Sequence, residues 1–229
     1  MKAVVFDFNG VIADDEPVHQ AAFADVLAIE GITLTSQAYF RDYLGLDDRG
    51  CLTRVWADLS GRPPLTEART RQLMEDKADA YLARIAQGAP LCPGALDLVR
   101  ALAAELPIAI CSGARRREIE AVLAQAGLED CFQLVLTADE VAEGKPHPSG
   151  YRQTIAALGV DPHDGLVLED APHGIAAAHG AGMVCVGVVG SASRAELERH
   201  ADHVYDSLVG VGPAELRRAW AAARAAARA

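Results

Sequence analysis

The chain has 229 residues, enough to bury a substantial core as one large domain or as one domain carrying a smaller insert. Its 21 Lys and Arg against 32 Asp and Glu give a net charge of -11, which repels nucleic-acid phosphates and anionic membrane surfaces over most of the exterior. The five cysteines are widely spaced with no CxxC pair, no apolar run approaches the ~18 residues of a membrane span, and the N-terminus runs straight into a strand, so a reducing cytoplasm is expected, with neither nucleic acid nor membrane as partner.

In chain order, the apolar run from Ala3 to Phe8 predicts a buried strand that leads into Asp7-Phe8-Asn9-Gly10. From Glu16 to roughly Gln87 no strand-like run occurs. Apolar residues there recur at helical spacing, as at Leu73, Tyr81, Leu82 and Ile85, which reads as a helical insert. Turn-forming stretches bracket it, Ala13 to Pro17 on entry and Pro90, Pro93 and Gly94 on return. Further runs follow at Ile108 to Cys111, Leu134 to Thr137, Leu166 to Leu168 and Val184 to Val189. Runs without alternation are what strands buried on both faces look like. Helical patterns lie between them, from Arg115 to Ala126 closed by Gly127 and from Ser149 to Leu158 closed by Gly159. His200 and His203 precede a short strand and show no ligand spacing, and the Ala- and Arg-rich tail from Pro213 reads as a terminal helix. Repeated strand–helix alternation predicts an α/β fold: a Rossmann-like parallel sheet formed by residues 1–15 and 88–229, with a small all-helical domain, residues 16–87, inserted after the first strand.

In an open parallel sheet, ligands bind at the carboxyl ends of the strands. Asp7, Ser112 and the pair Glu169-Asp170 fall at such ends, with Lys145 in the GKPHP loop after the third strand. Each alone has an ordinary structural use. Asp7 could cap a turn, Ser112 the next helix and Glu169-Asp170 the helix starting near His173, while Lys145 could be a solvated loop residue. Acids, a hydroxyl and a cation arriving at one edge from four strand ends favour a site. Clustered carboxylates repel one another and raise their pKa values unless a cation sits among them. Hard oxygen ligands favour Mg²⁺, and with a lysine, a hydroxyl and backbone N–H groups this is a phosphate-binding set. An aspartate nucleophile then makes phosphoryl transfer through an aspartyl-phosphate the natural reaction class.

Asp7-x-Asn9-Gly10, Ser112 before a helix, Lys145-Pro146 and Glu169-Asp170 with a following glycine resemble, in order and spacing, the four motifs of the haloacid dehalogenase-like superfamily. The helical insert sits where the helical-cap subfamily has its cap, and within that group the chain is most similar to the β-phosphoglucomutase-like phosphatases. The resemblance implies a Mg²⁺-dependent phosphohydrolase acting on a small phosphorylated metabolite, in the first instance a sugar phosphate, as a monomer or weak dimer. It implies that Asp7 attacks phosphorus, and that Mg²⁺ is held by Asp7, the Asn9 backbone carbonyl and Asp170, with Glu169 acting directly or through water. Ser112, with Gly113 beside it, and Lys145 would hold the transferring phosphoryl group. His19, Arg49 and Lys77 fall near cap positions that contact substrate or support closure.

Asn9 departs from the family pattern. Phosphatases and mutases of the family usually carry aspartate there, which protonates the leaving oxygen and then activates the incoming water or hydroxyl; an amide does neither. Losing general acid–base help costs on the order of 10²–10⁴-fold in rate. Three outcomes stand: another acid among Asp14, Asp15, Glu16 and His19 takes over; substrates with good leaving groups, such as acyl phosphates, are preferred; or the protein is a phosphometabolite-binding relative with weak catalysis. A phosphosugar mutase is the alternative that suffers most, because it must move protons both ways. Dehalogenation is disfavoured by Asn9 and Glu169-Asp170, and phosphonate hydrolysis would need a Schiff-base lysine for which Lys77 is the candidate.

Overall fold

The computed structural model describes residues 1–228, which divide into two compact units, residues 1–14 with 90–228, and Asp15–Ala89. The chain enters the larger unit through β1 (Ala3–Phe6), whose four side chains are all buried.

The insert is helical, as its apolar spacing predicts. It comprises α1 (Glu16–Ile29), the short α2 (Ser36–Ala38) running into a wide turn at Tyr39–Tyr43, α3 (Asp48–Leu59) and α4 (Glu67–Ile85). The starts of α2, α3 and α4 are fixed by side-chain caps: Thr35 accepts from the Ala38 N–H, Asp47 from Gly50 and Thr66 from Arg69. Phe23, Val26 and Leu27 of α1 close a core with Leu52, Val55 and Trp56 of α3 and Leu73 of α4. Burial of these side chains, at ~1.5–3 kcal/mol each, is what orders the helices.

The larger unit resumes with α5 (Ala95–Ala103) and then alternates β2 (Ile108–Cys111), α6 (Arg116–Ala126), β3 (Leu134–Leu136), α7 (Ser149–Ala157), β4 (Gly165–Glu169), α8 (Pro172–Gly180), β5 (Val184–Val188), α9 (Arg194–Leu197), β6 (His203–Tyr205) and α10 (Pro213–Ala226). Among the described residues the strands form one six-stranded sheet in the order β3-β2-β1-β4-β5-β6, with every neighbouring pair parallel. The order reverses beside β1, so the crevice of a doubly wound sheet opens at the carboxyl ends of β1 and β4. Gly127, at φ 62, ends α6 in the left-handed conformation that its sequence position called for. The terminal helix starts with Pro213 in its first turn, and Glu215 Oε2 accepts from the Gly212 N–H at 3.1 Å.

The strand limits differ from the sequence reading in ways that matter for the site. β1 stops at Phe6, one residue before Asp7, although the Asp7 N–H still donates to Leu168 O at 2.9 Å. β4 is longer than its apolar run and includes Glu169, because Glu169 pairs in register with Gly187 of β5. Ala13 bridges antiparallel to Leu91, and the Asp14 N–H donates to Pro90 O at 3.0 Å, so the two segments leading to and from the insert run side by side on the larger unit. All five cysteines are free thiols, and no helix among the described residues is long and apolar enough to cross a membrane.

Candidate active site

Parallel pairing of β1 with β4 sets Phe6 opposite Leu168, so the next residues, Asp7 and Glu169, emerge side by side at the carboxyl edge of the sheet. The loop after β3 brings Lys145 between them. Its Nζ donates to Asp7 Oδ1 at 2.7 Å and to Glu169 Oε1 at 2.6 Å. Glu169 Oε1 also accepts from the Tyr151 hydroxyl at 2.8 Å, while its Oε2 accepts from the backbone N–H groups of Asp170 and Ala171 at 3.1 and 3.2 Å. Asp170 Oδ2 accepts from the Ser191 N–H at 2.8 Å.

Two glycines let this cluster close up. Gly10 has φ +74, and a Cβ there would stand 1.9 Å from Asp170 Oδ2; a Cβ on Gly174 would stand 1.8 Å from Glu169 Oε1. Ser112 follows β2 directly and is buried, with its N–H donating to Leu136 O at 3.0 Å and its Oγ accepting from the Ala114 N–H at 3.0 Å. It does not cap α6, whose cap position is Arg115. Nor do Glu169 and Asp170 cap α8, where Ala171 holds that place.

The electrostatics follow from burial. Asp7 is pushed up to about 6 by burial, with Lys145 opposing and Glu169 adding to the rise. Asp170 is pushed up to about 8 by burial and by the charges of Glu169 and Asp7. Burial alone would lower the Lys145 pKa, but Asp7 and Glu169 outweigh it and keep the ammonium protonated. Asp7, Glu169 and Asp170 each offer a carboxylate oxygen, all within 4.8 Å of one another, with the single ammonium of Lys145 against them. That surplus of negative charge on hard oxygen donors fits a divalent cation such as Mg²⁺.

A family model of haloacid dehalogenase-like hydrolases matches residues 1–182. The chain belongs to this family. Hexitol phosphatase B of Escherichia coli K12 is 30% identical over 183 residues, covering 79% of this chain and 80% of its own. A crystal structure of a CbbY variant from Rhodobacter sphaeroides in complex with xylulose-(1,5)bisphosphate has a TM-score of 0.83 at 28% identity, over 94% of this chain and 99% of that one. A β-phosphoglucomutase from Clostridium difficile shares the fold, with a TM-score of 0.83 at 24% identity over 96% and 97% of the two chains. The protein is thus a haloacid dehalogenase-like hydrolase, the superfamily its four motifs indicated.

The cap positions named from sequence, His19, Arg49 and Lys77, lie in the insert. Lys77 is wholly buried on α4 and donates to Asp48 Oδ1 at 2.8 Å, and its Nζ lies 2.7 Å from His19 Nδ1. An ammonium beside Nδ1 makes that nitrogen the acceptor, so the proton of a neutral His19 ring sits on Nε2, which is 3.4 Å from Asp15 Oδ2. Asp15 Oδ2 also accepts from the Tyr81 hydroxyl. Arg49 stands apart from this cluster, paired on the surface with Glu67 at 2.7 Å. Tyr151 and Asp48 were not singled out from the sequence, and Tyr81 was read only as an apolar position of a helix. Tyr151 lies on the helix after the Lys145 loop, a recoverable position, but nothing in its neighbours marks which way it points.

Proposed function

We propose that this hydrolase cleaves small sugar phosphates in the cytoplasm, as a monomer or weak dimer, through Mg²⁺-dependent formation of an aspartyl-phosphate on Asp7. The observation that carries this reading is the partly buried Asp7–Lys145 pair, set beside Glu169 and Asp170 at the carboxyl edge of a parallel sheet. The names of relatives, a hexitol phosphatase and a protein crystallised with a sugar bisphosphate, support the substrate class.

Asp7, Asp170 and the Asn9 backbone carbonyl would hold Mg²⁺. Glu169 would reach it through water, because its oxygens already accept four hydrogen bonds. When bound, the cation supplies neutralising charge for the transferring phosphoryl group. Lys145 keeps Asp7 oriented and directs positive charge at the phosphoryl oxygens, with the Ser112 hydroxyl and the Gly113 N–H holding the remaining oxygens. The Asp7 carboxylate adds to phosphorus while the P–O bond to the sugar breaks. Water then adds at phosphorus, releasing inorganic phosphate and restoring Asp7. Discrimination among sugars is assigned to the insert, where Lys77 acts by holding His19 and Arg49 keeps a solvent-facing guanidinium.

Asn9 bears on which esters turn over. Among its candidate replacements, Glu16 accepts from the Tyr39 hydroxyl at 2.5 Å, and Asp15 and His19 are engaged with Tyr81 and Lys77. Substrates whose leaving oxygen needs little protonation are therefore the ones on which this chain loses least. The test is phosphate release from a panel running from acetyl phosphate through aryl phosphates to sugar and hexitol phosphates, with and without Mg²⁺, for the natural chain and Asn9→Asp. The reading requires Mg²⁺-dependent release, steepest on the better leaving groups, and a gain of ~10²-fold or more on alkyl esters in Asn9→Asp. Tight binding of sugar phosphates with no release by either form would replace the enzyme with a binding protein.

A further inference from the structure

Tyr151 is a fully buried tyrosine whose hydroxyl donates to Glu169 Oε1 at 2.8 Å, on the same oxygen that accepts from Lys145 at 2.6 Å. The Lys145 Nζ also stands 5.0 Å from the centroid of the Tyr151 ring. One side chain therefore touches both members of the Lys145–Glu169 pair, with its polar end on the carboxylate and its ring face on the ammonium. No other side-chain hydroxyl among the hydrogen bonds described reaches Glu169.

We propose that Tyr151 is a positioning residue for phosphoryl transfer: it divides the Lys145 ammonium between Glu169 and the nucleophile Asp7. Asp7 and Glu169 compete for one ammonium. Lys145 has three N–H donors, and two are taken by carboxylates at nearly equal distance. Glu169 is the more buried of the two, so with Oε1 otherwise unpaired it would draw the ammonium to itself. The Tyr151 hydroxyl takes up part of that acceptor capacity. A phenol is protonated at neutral pH, so the hydroxyl is a donor here. The ring face behind Nζ favours the cation in place, an attraction that strengthens when the pair is desolvated. Helix α7 carries Tyr151 rigidly, with Thr154 Oγ1 bonded back to Gly150 O at 2.9 Å and Gly150 packed against Cys111. The nucleophile's cation is thus located by a helix that carries none of the family motif residues.

The inference rests on the reading of Asp7 and Lys145 given above, and its test separates the two. Tyr151→Phe removes one oxygen from a packed ring, and Tyr151→Leu removes the ring as well. Melting temperatures are taken in EDTA, and p-nitrophenyl phosphate turnover is then followed well below them. For Tyr151→Phe we expect kcat to fall roughly 10- to 100-fold, the range for one hydrogen bond to a charged group, with KM changing less than about two-fold. Inorganic phosphate should half-saturate the Mg²⁺-loaded protein at a several-fold higher concentration, read by calorimetry, with Tyr151→Leu weaker again. A kcat within about two-fold of the natural chain, or a loss confined to melting temperature with phosphate binding unchanged, overturns the proposal. Should the natural chain release no phosphate from any ester, the catalytic reading fails, and the phosphate titration alone still decides whether Tyr151 sets the Lys145 position.

Discussion

Lys145 Nζ donates to Asp7 Oδ1 at 2.7 Å, joining residues 138 positions apart, one at the end of β1 and one in the loop before α7. Neither position is reached by local structure; the pair exists because the parallel sheet delivers both to one edge. With Glu169 Oε1 at 2.6 Å from the same nitrogen, the ammonium is the only positive charge in hydrogen-bond contact with these two carboxylates among the described residues.

Lys145→Met should accordingly damage stability and activity together. It leaves two buried carboxylates facing each other, and removing one partner of a buried pair costs about 3–5 kcal/mol. Thermal melts in EDTA should show the loss, and Mg²⁺ should restore part of it. Phosphate release should fall by ~10²-fold or more, because a preorganised charge at the phosphoryl group is removed.

The raised pKa values of Asp7 and Asp170 set a pH dependence of known sign. Unfolded, both carboxyls ionise near 3.8; folded without metal, they hold protons up to about 6 and about 8. The folded state therefore binds more protons across this interval, and the metal-free protein loses stability as pH rises through it. On the proposed reading Mg²⁺ takes the ionised carboxylates, so the melting-temperature gain from Mg²⁺ should grow between about pH 5 and about pH 8. An equal gain at both ends would contradict the assignment of these acids to a metal.

Gly10→Ala and Gly61→Ala separate backbone strain from site closure. Both glycines have positive φ, +74 and +63, but only at Gly10 would a Cβ strike a carboxylate, whereas Gly61 has nothing within 4 Å. Gly61→Ala should cost about 1–2 kcal/mol in denaturant unfolding, the strain of a non-glycine in that region. Gly10→Ala should cost more and should also weaken Mg²⁺ binding, because Asp170 must move.

In the insert, Lys77→Met should destabilise by about 3–5 kcal/mol, since it strands the partly buried Asp48 and removes the partner of His19 Nδ1. Arg49→Ala breaks a solvent-exposed pair with Glu67 and should change stability by less than ~1 kcal/mol. Urea unfolding of the two variants reads this difference directly.

The strands were legible because buried parallel strands are unbroken apolar runs, as in Ile108 to Cys111, which the structure reproduces residue for residue. Their ends were less so. Glu169 belongs to β4 only through its pairing with Gly187, a long-range fact that no local pattern carries. The same division holds at the site. Asp7, Ser112, Lys145, Glu169 and Asp170 could be named because strand ends and their loops face a ligand edge in any open parallel sheet. Tyr151 could not, because the direction of a helix side chain is fixed by what the helix packs against. In the insert, sequence pointed to His19, Arg49 and Lys77 alike; Lys77 pairs with Asp48, the chain neighbour of Arg49, whereas Arg49 itself pairs with Glu67 on the surface.

The most direct test of Asp7 as the nucleophile is phosphate release by the natural chain and by Asp7→Asn, on whichever ester the natural chain turns over fastest with Mg²⁺. An amide cannot add to phosphorus as a carboxylate does, so release by Asp7→Asn should fall to background while the variant still folds. Release by Asp7→Asn at a rate close to that of the natural chain would contradict it.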